Sequence, residues 1–216
     1  MAVATELGSG GFGFDHRLPG PLIFSSTPPA IGRRHPPTLP RAAGHHVTGL
    51  IYDVAVKNAV LKRQVEEDDP SLTTPGARDW KMSVLMALGC AWEEFYSQFM
   101  GDLFVYHPEQ LSRDGVSGNP DGYFLDTQGE IESVWECKLT YKSAARPLHD
   151  FWLYLAQGKS YCYMCGCNQF RLDVLFVKGD YTDRQDNCPV VLKRWLIKFT
   201  DNELIANWKM LMKEKR

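Results

Sequence analysis

Apolar positions along the chain fall into two periods, and the change between them divides the folded part of the protein. Thr48 can cap a helix that runs to about Val65, where Glu66-Glu67-Asp68-Asp69-Pro70 ends it. Thr74-Pro75 is a second helix start, a capping residue followed by proline at the first helical position. From Asp79 to Met100, Val84, Leu85, Leu88, Trp92, Phe95 and Phe99 recur at helical spacing and predict one apolar face. The period then shortens. Leu103 to Tyr106 reads as a strand, Gly118 to Gly122 as a turn, Tyr123 to Asp126 as a strand, Thr127 to Glu130 as a second turn, and Ile131 to Leu139 as a further strand.

A long helix is expected from about Leu148 to Met164, then strands Phe170 to Val177 and Val190 to Phe199. On the last of these Val191, Trp195, Ile197 and Phe199 share a face. Thr200 and Glu203 form a capping box for a final helix through Leu204, Ile205, Trp208 and Leu211. The order is α, α, β-hairpin, α, β, β, α. It predicts an α/β class with a small mixed central sheet flanked by helices.

Residues 1–46 have no sustained period. Gly8-Ser-Gly-Gly-Phe-Gly13 is followed by Pro28-Pro29, Pro36-Pro37 and Pro40, and the expectation is a flexible Pro/Gly-rich tail. His16, His35, His45 and His46 lie in it without ligand spacing and read as scattered surface residues. Residues 47–216 are expected to form a single domain, since 216 residues at 44% hydrophobic support one sizeable core. No apolar run approaches a membrane span, and Leu22 to Phe24 is too short for a signal-peptide core. Six cysteines are too sparse for a disulfide scaffold, so the expected setting is a reducing cytosol. The net charge of −2 argues against a protein that coats nucleic acid by bulk charge. It leaves room for an enzyme whose acidic site touches DNA over a small area.

The candidate chemistry centres on Trp135-Glu136-Cys137-Lys138. On a strand, Glu136 and Lys138 point to one side while Trp135 and Cys137 point to the other. An acid beside a lysine is common on solvated sheets, and Asn-Pro-Asp-Gly is a common turn. Their combination carries more. If the strands 121–126 and 131–139 pair, Asp121 comes to lie near Glu136 and Lys138. Two neighbouring carboxylates repel unless a positive group sits between them. A divalent cation held by oxygen ligands resolves that conflict, and Lys138 is then placed to orient an attacking water.

Pro120-Asp121, fourteen intervening residues and Glu136-Cys137-Lys138 resemble the PD-(D/E)XK nuclease motif. Gly89-Cys-Ala-Trp-Glu93 upstream and Gln157-Gly-Lys-Ser-Tyr161 downstream resemble the RecB-like and phage recombination exonuclease branch of that superfamily. The resemblance covers roughly residues 74–177. It implies a restriction-endonuclease-like core and a DNA nuclease dependent on Mg²⁺ or Mn²⁺, working in recombination, repair or phage DNA processing. An exonuclease is favoured over an endonuclease. It also implies Asp121, Glu136, Lys138, Gln157 and Tyr161 as catalytic residues, with Glu93, Asp121, Glu136 and the Cys137 carbonyl around the metal. Glu94 competes with Glu93 for that place. DNA is the implied partner, no membrane is involved, and a homo-oligomer or a recombination or phage partner protein stays open. The implied location is a bacterial or phage-infected host cytosol.

Lys142, Arg146 and Lys159 flank these motifs and are candidates for gripping the phosphate backbone, without reading base sequence. Cys162, Cys165 and Cys167, with Cys188 downstream, have spacing that can hold zinc or an iron–sulfur cluster. No well-placed upstream cysteine completes the cluster, so buried free thiols are expected instead. A different class of function is a catalytically idle module of the same fold, serving DNA binding or protein assembly. The complete set of acids with Lys138 argues against it.

Overall fold

The computed structural model describes residues 3–10, 44–68, 80–177 and 190–215. Its strands are β1 (Val3–Gly10), β2 (His45–His46), β3 (Phe104–Tyr106), β4 (Leu111–Arg113), β5 (Val116–Gly118), β6 (Gly122–Leu125), β7 (Ile131–Thr140), β8 (Gln169–Phe176) and β9 (Val191–Lys198). Its helices are α1 (Val47–Ala55), α2 (Ala59–Asp68), α3 (Trp80–Ser97), α4 (Trp152–Cys165) and α5 (Asp201–Met212). Six strands form one sheet in the order β1-β9-β8-β7-β6-β3, and β2-β5-β4 form a small second sheet. The protein is therefore a mixed α/β structure with its helices against a central sheet.

The β6–β7 hairpin is antiparallel, with Gly122 opposite Trp135. Its turn is closed by Asp126, whose side chain accepts from the Gln128 and Glu130 amides. Gly129 supplies the positive φ of 86° that the turn requires. β7 and β8 are parallel, so the chain must cross over between them, and α4 is that crossover. β9 returns antiparallel to β8.

The sheet is covered on both faces. One face, with Val134, Phe170, Leu172, Val174 and Ile197, packs beneath α1, α4 and α5 in the main core. The other face carries Trp135 and Cys137 and meets Tyr96 of α3. Where α4 crosses β8, a Cβ on Gly158 would stand inside van der Waals distance of three Phe170 ring atoms. Phe170 is fully buried and has little room to yield. Overpacking costs about 1–3 kcal/mol, against a helix-propensity gain of about 1 kcal/mol for replacing glycine by alanine. Gly158→Ala is therefore expected to lower the midpoint of urea unfolding with an unchanged slope. A raised midpoint would contradict this packing.

Several expectations are corrected. The helix predicted from 48 to about 65 is two helices. The Asn58 side chain accepts from the Val60 and Leu61 amides and starts α2, so a second cap interrupts the run. Thr48 is not the cap of α1; His46 is, through Nδ1 accepting from the Thr48 amide at 3.3 Å. The second start signal at Thr74-Pro75 lies outside the described residues.

The sheet meets only part of the apolar face expected on α3. Val84, Leu88, Phe95 and Phe99 are exposed, and contact with the sheet is made by Trp92 and Tyr96 near the end of the helix. Within the segment expected as a tail, Val3–Gly10 forms the edge strand paired with β9, and His45–His46 pairs in parallel with β5. Residues 11–43, including His16 and His35, lie outside the described residues. The capping box on α5 is present as expected, with Thr200 and Glu203 bonded reciprocally. Among the described residues no helix is long and apolar enough to cross a membrane.

Candidate active site

The hairpin register places Asp121, one residue before Gly122, across from Glu136. Asp121 Oδ2 accepts the Cys137 amide at 2.8 Å and the Lys138 ammonium at 3.3 Å. Lys138 Nζ also pairs with Glu136 Oε2. One ammonium touching both acids holds the two carboxylates within roughly two hydrogen-bond lengths of each other, about 6 Å. Strand alternation accounts for the rest. Glu136 and Lys138 face the α4 side, while Trp135 and Cys137 pack toward α3. The Cys137 side chain is thus turned away, and only its backbone borders the acids.

Glu136 is 1% exposed, and its Oε1 is buried without a hydrogen-bond partner. Such an atom is costly unless something positive or hydrogen-bonding meets it. Burial, reinforced by the charge of Asp121, pushes its carboxyl up to about 8 against the opposing pull of Lys138. For Lys138 burial acts downward, yet Asp121 and Glu136 outweigh it and hold the ammonium well above its ordinary range. Lys138 is therefore a cation at neutral pH, suited to donating hydrogen bonds rather than removing protons. Two close carboxylates, one with an orphaned oxygen, fit an oxygen-ligated divalent cation that keeps water and phosphate in its remaining positions. Among the described residues no three His, Cys, Asp or Glu side chains converge into a ready-made metal cluster.

Glu93 stands beside this pair. It contributes to the electrostatics of Glu136, Cys137 and Lys138. Its Oε1 lies 2.7 Å from His107 Nε2, and its side chain is 15% exposed. Glu94 is exposed and does not figure among the charges acting on Glu136 or Lys138. Of the two, Glu93 is the one whose charge acts on Glu136 and Lys138.

Gln157 and Tyr161 lie one turn apart on α4 and share a face, as their spacing requires. Gln157 Nε2 donates to Thr48 Oγ1 at 3.0 Å, and Thr48 also acts on the Tyr161 phenol. Tyr161 is 2% exposed. Burial and the charge of Glu136 raise its phenol, so it is a neutral hydroxyl next to the acids. Gly118 makes room for that ring, since a Cβ there would meet Tyr161 Cε1 at 2.6 Å.

The basic candidates are placed differently. Lys142 lies just beyond β7, where its amide bonds Thr140 Oγ1. Arg146 pairs with Asp150 at 3.5 Å and lies over the Phe151 ring. Lys159 lies over Phe199, on the side of α4 away from Gln157 and Tyr161, and is not brought to the acids. Cys162 and Cys167 meet at the C-terminus of α4. There Gly166 adopts φ 79° and the Cys167 amide returns to the Cys162 carbonyl. Both thiols point at the Gln169 carbonyl, and Cys162, Cys165 and Cys167 are free thiols. Cys188 lies outside the described residues. A cleft of about 580 Å³, lined by Arg113, Glu132, Cys167 and Asp201 among others, contains none of the acid–lysine group.

Three participants were missed in the sequence: Thr48, Gly118 and His107. Thr48 has the sequence context of a cap, and nothing local points it at residues more than a hundred positions away. Gly118 has only the sequence context of a turn.

No protein-family model matches the chain, and no curated protein matches it. Solved structures of similar fold include a phage-related exonuclease from Haemophilus somnus 129PT. It is 12% identical over 79% of this chain and 91% of that one, with a TM-score of 0.48. An alkaline exonuclease (LHK-Exo) from Laribacter hongkongensis is 14% identical over 79% and 85%, with a TM-score of 0.45.

Proposed function

We propose that the protein is a Mg²⁺- or Mn²⁺-dependent DNA nuclease, an exonuclease in preference to an endonuclease, acting in recombination, repair or phage DNA processing. The observation that carries this reading is the buried Glu136 carboxylate. One of its oxygens has no partner, and Asp121 and Glu136 touch the same lysine. Lys138 offsets part of the repulsion between the two acids, but it leaves Glu136 Oε1 without a partner, which a divalent cation would supply.

Asp121 and Glu136 would hold the metal, with Glu93 completing the shell directly or through water and the Cys137 carbonyl adding an oxygen. When bound, a divalent cation supplies charge neutralisation at a phosphoryl oxygen and makes water easier to deprotonate. Lys138, held cationic by its two acids, orients the attacking water and donates to the negative charge that develops on the phosphate. Gln157, fixed through Thr48, and the buried Tyr161 keep the α4 side of the site in place. Lys142 and Arg146, in the loop after the Lys138 strand, are the candidates for the DNA backbone. Contacts of that kind fall off with salt and do not select sequence.

The test is a gel assay with linear and circular duplex DNA. With Mg²⁺ or Mn²⁺ the purified protein should degrade linear DNA ahead of circular DNA, and EDTA should stop it. Cleavage that persists in EDTA would overturn the metal-dependent reading. Equal attack on circles would overturn the exonuclease preference.

A further inference from the structure

Among the side chains near the acids, one is held by the backbone in a way its neighbours do not require. His107 follows the last residue of β3 and has φ 47°. Non-glycine residues seldom adopt this left-handed conformation, although histidine does so more readily than most. The next residue is Pro108, which restricts the preceding backbone further. Strain of this sort persists only where the surroundings enforce it.

They do so here from two sides. The His107 amide donates to the Asp121 carbonyl at 3.0 Å, one step beyond the Tyr106–Gly122 pair of the β3–β6 ladder. The ring meets Glu93 at 2.7 Å.

The turn has a geometric consequence. Successive residues on a strand point to opposite faces, so an extended His107 would face away from the side taken by Tyr106. Instead the two rings stack with centroids 3.9 Å apart at 21°. Glu93 also acts on the Tyr106 phenol, helping burial to raise it. The stack therefore sets the His107 ring against the Glu93 carboxylate. An ionised carboxylate only accepts hydrogen bonds, so His107 Nε2 carries the hydrogen and donates it to Glu93 Oε1. Oε2 takes no part in that bond.

We infer that His107 is a positioning residue for Glu93: its left-handed backbone, pinned to Asp121, swings the imidazole across to hold Glu93 with one oxygen turned to the metal-binding acids. The inference rests on the metal-site reading above. Groups that orient a ligating side chain typically matter about 10–100-fold in metal affinity.

The experiment is Mn²⁺ binding to the full chain, followed by electron paramagnetic resonance of the free ion, with thermal melts to establish that each variant is folded. His107→Asn is the informative substitution. Asparagine tolerates the left-handed backbone but is too short to reach Glu93. It should weaken Mn²⁺ binding about 10–100-fold. Glu93→Gln alone should weaken binding similarly, and adding His107→Asn to it should cause little further loss, because the two act as one unit. His107→Gln, long enough to donate an amide hydrogen to Glu93, should recover part of the affinity.

Unchanged binding in His107→Asn would overturn the inference, as would losses that simply multiply in the double variant. Either result would leave the metal site standing. Wild-type protein that binds no Mn²⁺ would overturn the metal-site reading and this inference with it.

Discussion

Lys138→Ala is expected to abolish DNA cleavage, lowering the rate about 10²- to 10⁴-fold, the range for losing a positioned donor or proton-transfer group at a reacting centre. Lys138 is the shared partner of Asp121 and Glu136 and is held cationic by them. Alanine removes both the donor aimed at the developing charge and the group that orients water. It leaves the carboxylates in place, so metal binding should survive. DNA binding in EDTA, followed by gel shift, should keep most of its strength, since one lysine is a small part of a backbone-contacting surface. A variant that cleaves at the wild-type rate would remove Lys138 from the mechanism.

Asp121→Asn should have a comparably large effect for a different reason. The amide oxygen of asparagine can still accept from the Cys137 amide, the contact that ties Asp121 to β7. The hairpin should therefore persist. What is lost is one of the two negative charges around which a divalent cation would be held. Cleavage is expected to fall at least 10²-fold.

The sharper readout is thermal. A ligand at about 100 times its dissociation constant stabilises the folded state by about 2.7 kcal/mol. For a chain of this size that raises the melting temperature by several degrees, at about 2–4 °C per kcal/mol. Mn²⁺ should produce that rise in the wild type and little or none in Asp121→Asn. An equal rise in both would mean that the metal sits elsewhere.

What could be read from the sequence was what depends on neighbours. The β6–β7 hairpin spans few residues and closes on Asp126 and Gly129, so its pairing, and with it the meeting of Asp121 with Glu136 and Lys138, followed from strand period and turn chemistry. The Thr200–Glu203 capping box and the shared face of Gln157 and Tyr161 are equally local.

What escaped was set by distant partners. Val3–Gly10 has the composition of a tail and becomes a strand because β9 offers it an edge. Helical period placed α3, but of the face it predicts Trp92 meets the sheet while Val84, Leu88, Phe95 and Phe99 stay exposed, and Tyr96 joins Trp92 there. Asn58 is the exception, a local cap that divides one helical run into two. Thr48 and His107 gave no local signal for their roles. One is bonded to a helix more than a hundred residues on, and the other is turned by a backbone contact across a sheet edge.

The most direct measurement compares wild type, Lys138→Ala and Asp121→Asn, purified side by side, on end-labelled linear duplex DNA with Mg²⁺. The account predicts rapid cleavage by the wild type that EDTA stops, and at least a 10²-fold loss in each folded variant. Equal cleavage by all three proteins, or none by folded wild type with either Mg²⁺ or Mn²⁺, would contradict it.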